Sequence, residues 1–209
     1  MRLTINHRGI WIPWTEANPG VRAEHEAALI RRVKSEGVNP AAAIRVAGAL
    51  GGNPFGLGND RTVTPKSRKM NLPRGLVFVD YPTIKEMAMA VDWARGGVLA
   101  VLEGPPGVIR LPLAGWAAAV GAVDALTGEP AQAVSDEVRS LFDRLVQYGN
   151  NGYGDRRGNY FVRELVPEIA ADIRAAGYTN DFIASYLLAY GLDEDNEKSL
   201  RKVIGSITV

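Results

Sequence analysis

Cysteine is missing from all 209 residues. Its absence excludes disulfides, thiolate zinc sites and thiol nucleophiles together, and it fits a reducing cytosol. Histidine is nearly missing as well, with only His7 and His25 present. His25 stands between Glu24 and Glu26, and neighbours on a helix point about 100° apart, so that trio does not converge on one metal. A histidine-based triad has no supporting spacing. Long apolar runs are also lacking: none reaches the roughly 18 residues of a membrane span. The richest stretch, Gly107 to Leu126, is broken by Arg110, Pro112 and two internal glycines. The amino terminus, MRLTINHRGIWIPW, has no continuous apolar core of the signal-peptide kind. A cytoplasmic protein without a membrane segment is expected. Excess charge of one sign is absent too, since the formal net charge is +1 and argues for no particular class of partner. Gly-x-Ser-x-Gly, HExxH, EF-hand and Gly-Lys-Ser/Thr signatures do not occur, and no cofactor motif is present.

What remains is an ordinary globular composition, 46% hydrophobic and 22% charged, long enough for one large domain or two small ones. The most informative stretch runs from Gly75 to Gly107. Leu76 to Val79 is a short apolar run of the kind a strand buried on both faces shows. Pro82 ends it. Thr83, with Glu86 three residues later, makes a capping box that opens a helix. Ile84, Met87, Ala88 and Val91 form the apolar stripe of that helix, and Gly96 and Gly97 stop it. Val98 to Leu102 is a second apolar run, halted by Gly104, Pro105 and Pro106. Strand, covering helix and strand predict a parallel pair, with Asp80 and Glu103 at the same carboxyl edge. Ligands of open α/β sheets bind beyond that edge.

Arg2 to Pro13 suggests a small hairpin or two edge strands, with Arg8 and Gly9 in the turn. Trp11 and Trp14 flank Pro13 and form either an exposed partner-binding ridge or a cover over the core. Val21 to Glu36 reads as a helix, and Asn39-Pro40 as the start of a second, small-residue helix over Ala41 to Leu50. Glycines 48, 51, 52, 56 and 58 then make a loop that, following a helix, has the wrong context for phosphate binding. Arg61 to Arg74 carries five basic residues and no acid. Lys66, Arg68, Lys69 and Arg74 there, and Arg156 and Arg157 in the loop from Gly149 to Tyr160, are the candidates for binding nucleic acid or another anion.

Val108 to Leu113 suggests a short edge strand and Gly115 to Leu126 a helix. Helices are also expected from Ser135 to Tyr148, over Phe161 to Ala176 with a break at Pro167, from Thr179 to Tyr190, and from Asp195 to Ile204. The last two superficially resemble a helix-turn-helix, but the second opens on Asp193, Glu194, Asp195 and Glu197, the wrong sign for phosphates. The stretch VLAVLEGPPG, Val98 to Gly107, resembles the first motif of the Toprim domain. That resemblance, carried by Glu103-Gly104 after an apolar strand, implies an Asp-x-Asp pair at a later strand end to hold magnesium. Asp193 and Asp195, the pair available, fall among expected helices.

The architecture expected is α/β (or α+β): a small, mainly parallel sheet with flanking helices over residues 1–130, then a helical part over 131–209. The leading functional expectation is an accessory or regulatory protein that binds another protein or a nucleic acid. The alternative is a metal- or nucleotide-dependent hydrolase with Asp80 and Glu103 as its strand-end carboxylates.

Overall fold

The computed structural model describes residues 3–15, 22–48, 54–56, 61–66, 72, 74–105, 111–154 and 160–205. Six parallel strands form one sheet: β1 (Arg8–Ile12), β2 (Ile44–Val46), β3 (Thr62–Val63), β4 (Leu76–Asp80), β5 (Val98–Leu102) and β6 (Val123–Asp124), in the spatial order β3-β2-β4-β5-β1-β6. The fold is α/β. Between β4 and β5 lies α2 (Ile84–Trp93), whose Thr83 side chain accepts from the Glu86 amide while Glu86 caps Thr83 in return. That strand-helix-strand unit is parallel, with Leu76 opposite Val98 and Asp80 opposite Leu102.

From β1 the chain moves toward the β3 edge, whereas from β4 and β5 it moves toward the β6 edge. With crossovers of one hand, these opposite directions require helices on opposite faces. They are found there. Helix α1 (Arg22–Ser35) packs Ala28, Leu29 and Val33 on the face of Ile10, Ile12, Phe78, Ala100 and Leu102. Helices α2 and α3 (Ala114–Val120) cover the other face, against Val77, Val79, Leu99 and Val101.

Three local expectations are corrected. The amino-terminal segment is not a hairpin; it is one strand, β1, placed between β5 and β6. Its residues are buried from Gly9 to Ile12, so burial by two neighbours outweighs the turn signal of Arg8-Gly9. The helix expected over Ala41 to Leu50 is instead a 3-10 turn, Pro40–Ala42, followed by β2. Asn39 does cap that turn by accepting from the Ala41 amide, but Ile44 and Val46 are branched, fully buried, and taken by the sheet. The glycine-rich segment therefore follows a strand. Finally, α3 stops at Val120 because Gly121 adopts a left-handed conformation, and β6 occupies part of the expected helix.

After residue 130 come α4 (Asp136–Tyr148), a π-helical turn at Phe161–Leu165, α5 (Val166–Ala175), α6 (Asn180–Leu188) and α7 (Glu194–Gly205). The π turn immediately precedes Pro167, whose ring disfavours a regular α-helical turn before it. Phe142, Ile169, Ile183 and Leu200 of these helices belong to the same apolar cluster as Val77 and Val101 of the sheet. One core thus runs from the sheet into the helices without a break at 130.

Candidate functional site

The carboxyl edge of the sheet carries a group of charges that the strand pattern alone does not reveal. Asp80 ends β4, and its side chain is 9% exposed. Arg45, from the middle of β2, lies two residues back on the neighbouring strand, and its Nε stands 3.7 Å from the Asp80 carboxylate. Arg22, the first residue of α1, donates its Nη2 to the same carboxylate and its Nε, at 2.9 Å, to Glu26. Glu26 also accepts from the Phe55 amide at 3.3 Å. Two guanidinium groups and two carboxylates form a neutral cluster. Its inner member, Arg45, has a side chain only 7% exposed and pairs with Asp80; breaking a buried pair of this kind costs about 3–5 kcal/mol.

The backbone is unusual at the same place. Among the described residues, two that are not glycine have positive φ: Phe55 at 62° and Tyr81 at 48°. Phe55 stacks on Phe78 of β4 at 4.6 Å between ring centroids. Tyr81 directly follows Asp80, and the Arg22 guanidinium lies 5.2 Å from its ring centroid. A Cβ at Gly104 would stand 2.8 Å from the Tyr81 ring, so glycine there lets the ring lie across the end of β5. Likewise a Cβ at Gly48, just past β2, would stand 2.5 Å from the Glu86 carboxylate.

Glu103 sits at the same edge but on the other side of the sheet. Asp80 faces the way its register partner Leu102 faces; Glu103, one residue on, alternates to the opposite face. There its carboxylate accepts from the Leu113 amide at 2.8 Å and the Trp14 amide at 3.4 Å. Burial pushes its pKa up, opposed by those two hydrogen bonds. The two acids are therefore not brought into one crevice. Each is held by a different set of partners.

The remaining sequence candidates scatter. Trp11 is 8% exposed and belongs to the core, so it presents no ridge; only Trp14 keeps partial exposure. Lys66 is exposed at the carboxyl end of β3. Arg74 precedes β4, at the opposite edge, and pairs with Asp92 at 3.7 Å. Lys66 and Arg74 thus do not make one patch. Arg68, Lys69, Arg156 and Arg157 lie outside the described residues. Asp193 accepts from the Asn196 amide and so caps α7, and it follows a helix and not a strand. His7 is buried, its Nε2 accepting from the Trp116 indole at 3.2 Å. Among the described residues no cluster of three potential metal ligands occurs.

Sequence reasoning missed Arg22, Arg45 and Tyr81. The signal for Arg45 was a lone charge within Ala-Ile-Arg-Val-Ala, which a helical reading places in solvent and a strand reading places inward. Two further features lie on the surface. A cleft of about 620 Å³ lies where the first turn of α2 meets α6 and α7, lined by Lys85, Asp181, Glu194, Glu197, Lys198 and Arg201. Its acids and two of its cations are paired with one another. Tyr160 and Phe161 are exposed, and Phe161 stacks on Tyr148 at 5.3 Å.

Among the described residues no helix is long and apolar enough to cross a membrane. Comparison of the chain with known protein families, with curated proteins and with solved structures gave no significant match.

Proposed function

We propose that this chain is a binding protein of the accessory or regulatory kind, and that its ligand, a small polar molecule, seats on the carboxyl edge of β2 and β4. One observation carries the reading: among the described residues the two left-handed non-glycine positions, Phe55 and Tyr81, border the Arg22–Asp80–Arg45 cluster. Each left-handed residue costs about 1–2 kcal/mol, and strain of this kind gathers at ligand clamps and active sites. The edge also lies where strand order reverses, since the strand after β2 is on one side and the strand after β4 on the other, the position at which α/β proteins leave a crevice. A hydrolase built on paired carboxylates has less support, because Asp80 and Glu103 face opposite sides.

The test is an amide NMR titration of the full chain with a panel of small anions, cations and neutral polar compounds, read alongside thermal stability. The expected result is a saturable shift of the Asp80 and Tyr81 resonances by some member of the panel, with a rise in Tm. If none of the panel moves these signals, or if shifts gather only elsewhere, the carboxyl-edge reading is wrong.

A further inference from the structure

We infer that the ligand of this edge is an oxyanion, a phosphate or phosphate ester, that takes over the Arg22 guanidinium from its carboxylate partners; this rests on the carboxyl-edge reading above. The charges of the cluster differ in their freedom to move. The side chains of Arg45 and Asp80 are 7% and 9% exposed, whereas that of Arg22 is 44% exposed. The Arg45–Asp80 pair is buried and breaking a buried pair is costly, so that pair stays together. Arg22 is different. Both of its carboxylate partners have a second donor: Asp80 has Arg45, and Glu26 has the Phe55 amide. Arg22 can leave either one without leaving it bare of a hydrogen-bond donor, although Glu26 then has no cation among the described residues.

The departing group is also suited to an oxyanion. A guanidinium presents five N–H donors in a planar fork that matches phosphate bidentately. Two of the three Arg22 nitrogens, Nε and Nη2, are engaged by Glu26 and Asp80; among the described residues Nη1 has no hydrogen bond. The Tyr81 ring lies against the guanidinium and Gly104 makes room for that ring, so the fork is braced on its apolar side. Arg22 opens a 14-residue helix, whose amino-terminal partial charge is positive. Lys66 adds an exposed ammonium at the same edge, two strands along, with no ion pair among the described residues. An arriving anion meets these cations first. A cationic ligand would have to displace Arg22 to reach Asp80.

The cluster takes on the negative charge of the ligand: Asp80 remains with Arg45, Glu26 keeps only the neutral Phe55 amide, and the oxyanion takes Arg22. It follows that the carboxylates of this cluster compete with the ligand. Loss of the Glu26 charge should therefore tighten binding, a direction that a merely structural role for Glu26 does not produce.

The experiment is titration of the full chain with inorganic phosphate, a nucleoside monophosphate and the matching nucleoside, followed by calorimetry and by the Asp80 and Tyr81 amide signals. Phosphate and the monophosphate are expected to bind and the nucleoside not to bind. A monophosphate tighter than phosphate identifies an ester as the ligand, and equal affinities identify free phosphate. Arg22→Gln should abolish binding, and Glu26→Gln should lower Kd by about 2- to 5-fold, the range of one exposed ion pair. Binding of phosphate that Arg22→Gln leaves unchanged, or weakening by Glu26→Gln, overturns the inference. If only neutral or cationic compounds move the edge signals, the oxyanion assignment fails while the carboxyl-edge reading stands. If nothing moves them, both fail.

Discussion

A Cβ added to Gly115 of α3 would fall on the carbonyl oxygen of Phe182 in α6 and stand 2.6 Å from the Tyr186 nitrogen. The two helices thus meet backbone to backbone, and the Trp116 amide donates to the buried Ser185 hydroxyl at 3.1 Å in the same contact. Gly115→Ala is expected to destabilise the chain by about 1–3 kcal/mol, the usual cost of overpacking. Urea denaturation measures it. Unchanged stability would mean that α3 and α6 stand farther apart than this contact requires.

Tyr81 and Gly104 make a similar pair at the carboxyl edge. Gly104→Ala sets a methyl group 2.8 Å from the Tyr81 ring and is expected to cost about 1–3 kcal/mol. In a Tyr81→Gly background the ring is gone, and the same substitution should cost no more than about 0.5 kcal/mol. Tyr81→Gly also relieves the left-handed strain at that residue, which partly offsets the lost ring contacts. A double-mutant cycle decides the matter, since additive effects would mean that the two residues do not touch.

Glu103 introduces a pH dependence whose sign is fixed by burial. Its carboxyl is raised from the ordinary value of 4.5, burial outweighing the Leu113 and Trp14 hydrogen bonds. Between the unfolded and folded values the folded chain holds more protons than the unfolded chain. The stability contributed here is therefore present below 4.5 and lost as pH rises through the folded value. Glu103→Gln removes this titration while keeping an acceptor oxygen. Denaturation midpoints measured from about pH 4 to about pH 7 should fall for the wild type relative to the variant. Parallel curves would show that the two amides keep the carboxylate ionised throughout.

Among the seven tyrosines, Tyr153, Tyr186 and Tyr190 are raised, in each case chiefly by burial. The Tyr153 hydroxyl donates to the Leu145 carbonyl at 2.8 Å, beneath a glycine, Gly149, whose Cβ would overlap its ring. For Tyr190 the Asp143 charge adds to the effect and Arg139 opposes it. In an alkaline titration followed by phenolate absorbance, these three are expected to ionise only as the chain unfolds. Because the folded values exceed the unfolded value of 10.0, stability should decline as pH rises beyond it. Complete ionisation before loss of the helical circular dichroism would contradict the burial of these rings.

Much of the fold was legible because its signals are local. The unit from Leu76 to Leu102 has two apolar runs, a capping box and glycine stops, each set by residues within a few positions of one another. Ser135 and Thr179 marked the starts of α4 and α6 in the same way. The short strands were not legible. β2 is three residues long within an alanine-rich stretch, and β6 is two. At that length neither period of hydrophobicity is defined, and the choice of strand comes from neighbours distant in sequence.

Sequence by itself determined the strand-helix-strand unit, the helix boundaries that carry caps, the absence of thiol chemistry, and the placement of Asp80 and Glu103 at one edge. Tertiary structure alone decided the rest of that edge. Arg22 reaches Asp80 across 58 residues, and Arg45 reaches it from a strand that pairs with β4 only in the folded sheet. The pleat, with its two-residue period, put Glu103 on the opposite face from Asp80 despite their common edge. Side-chain direction and long-range pairing are properties of the assembled sheet, because the energy that selects them comes from burial between elements and not from the preferences of any one segment.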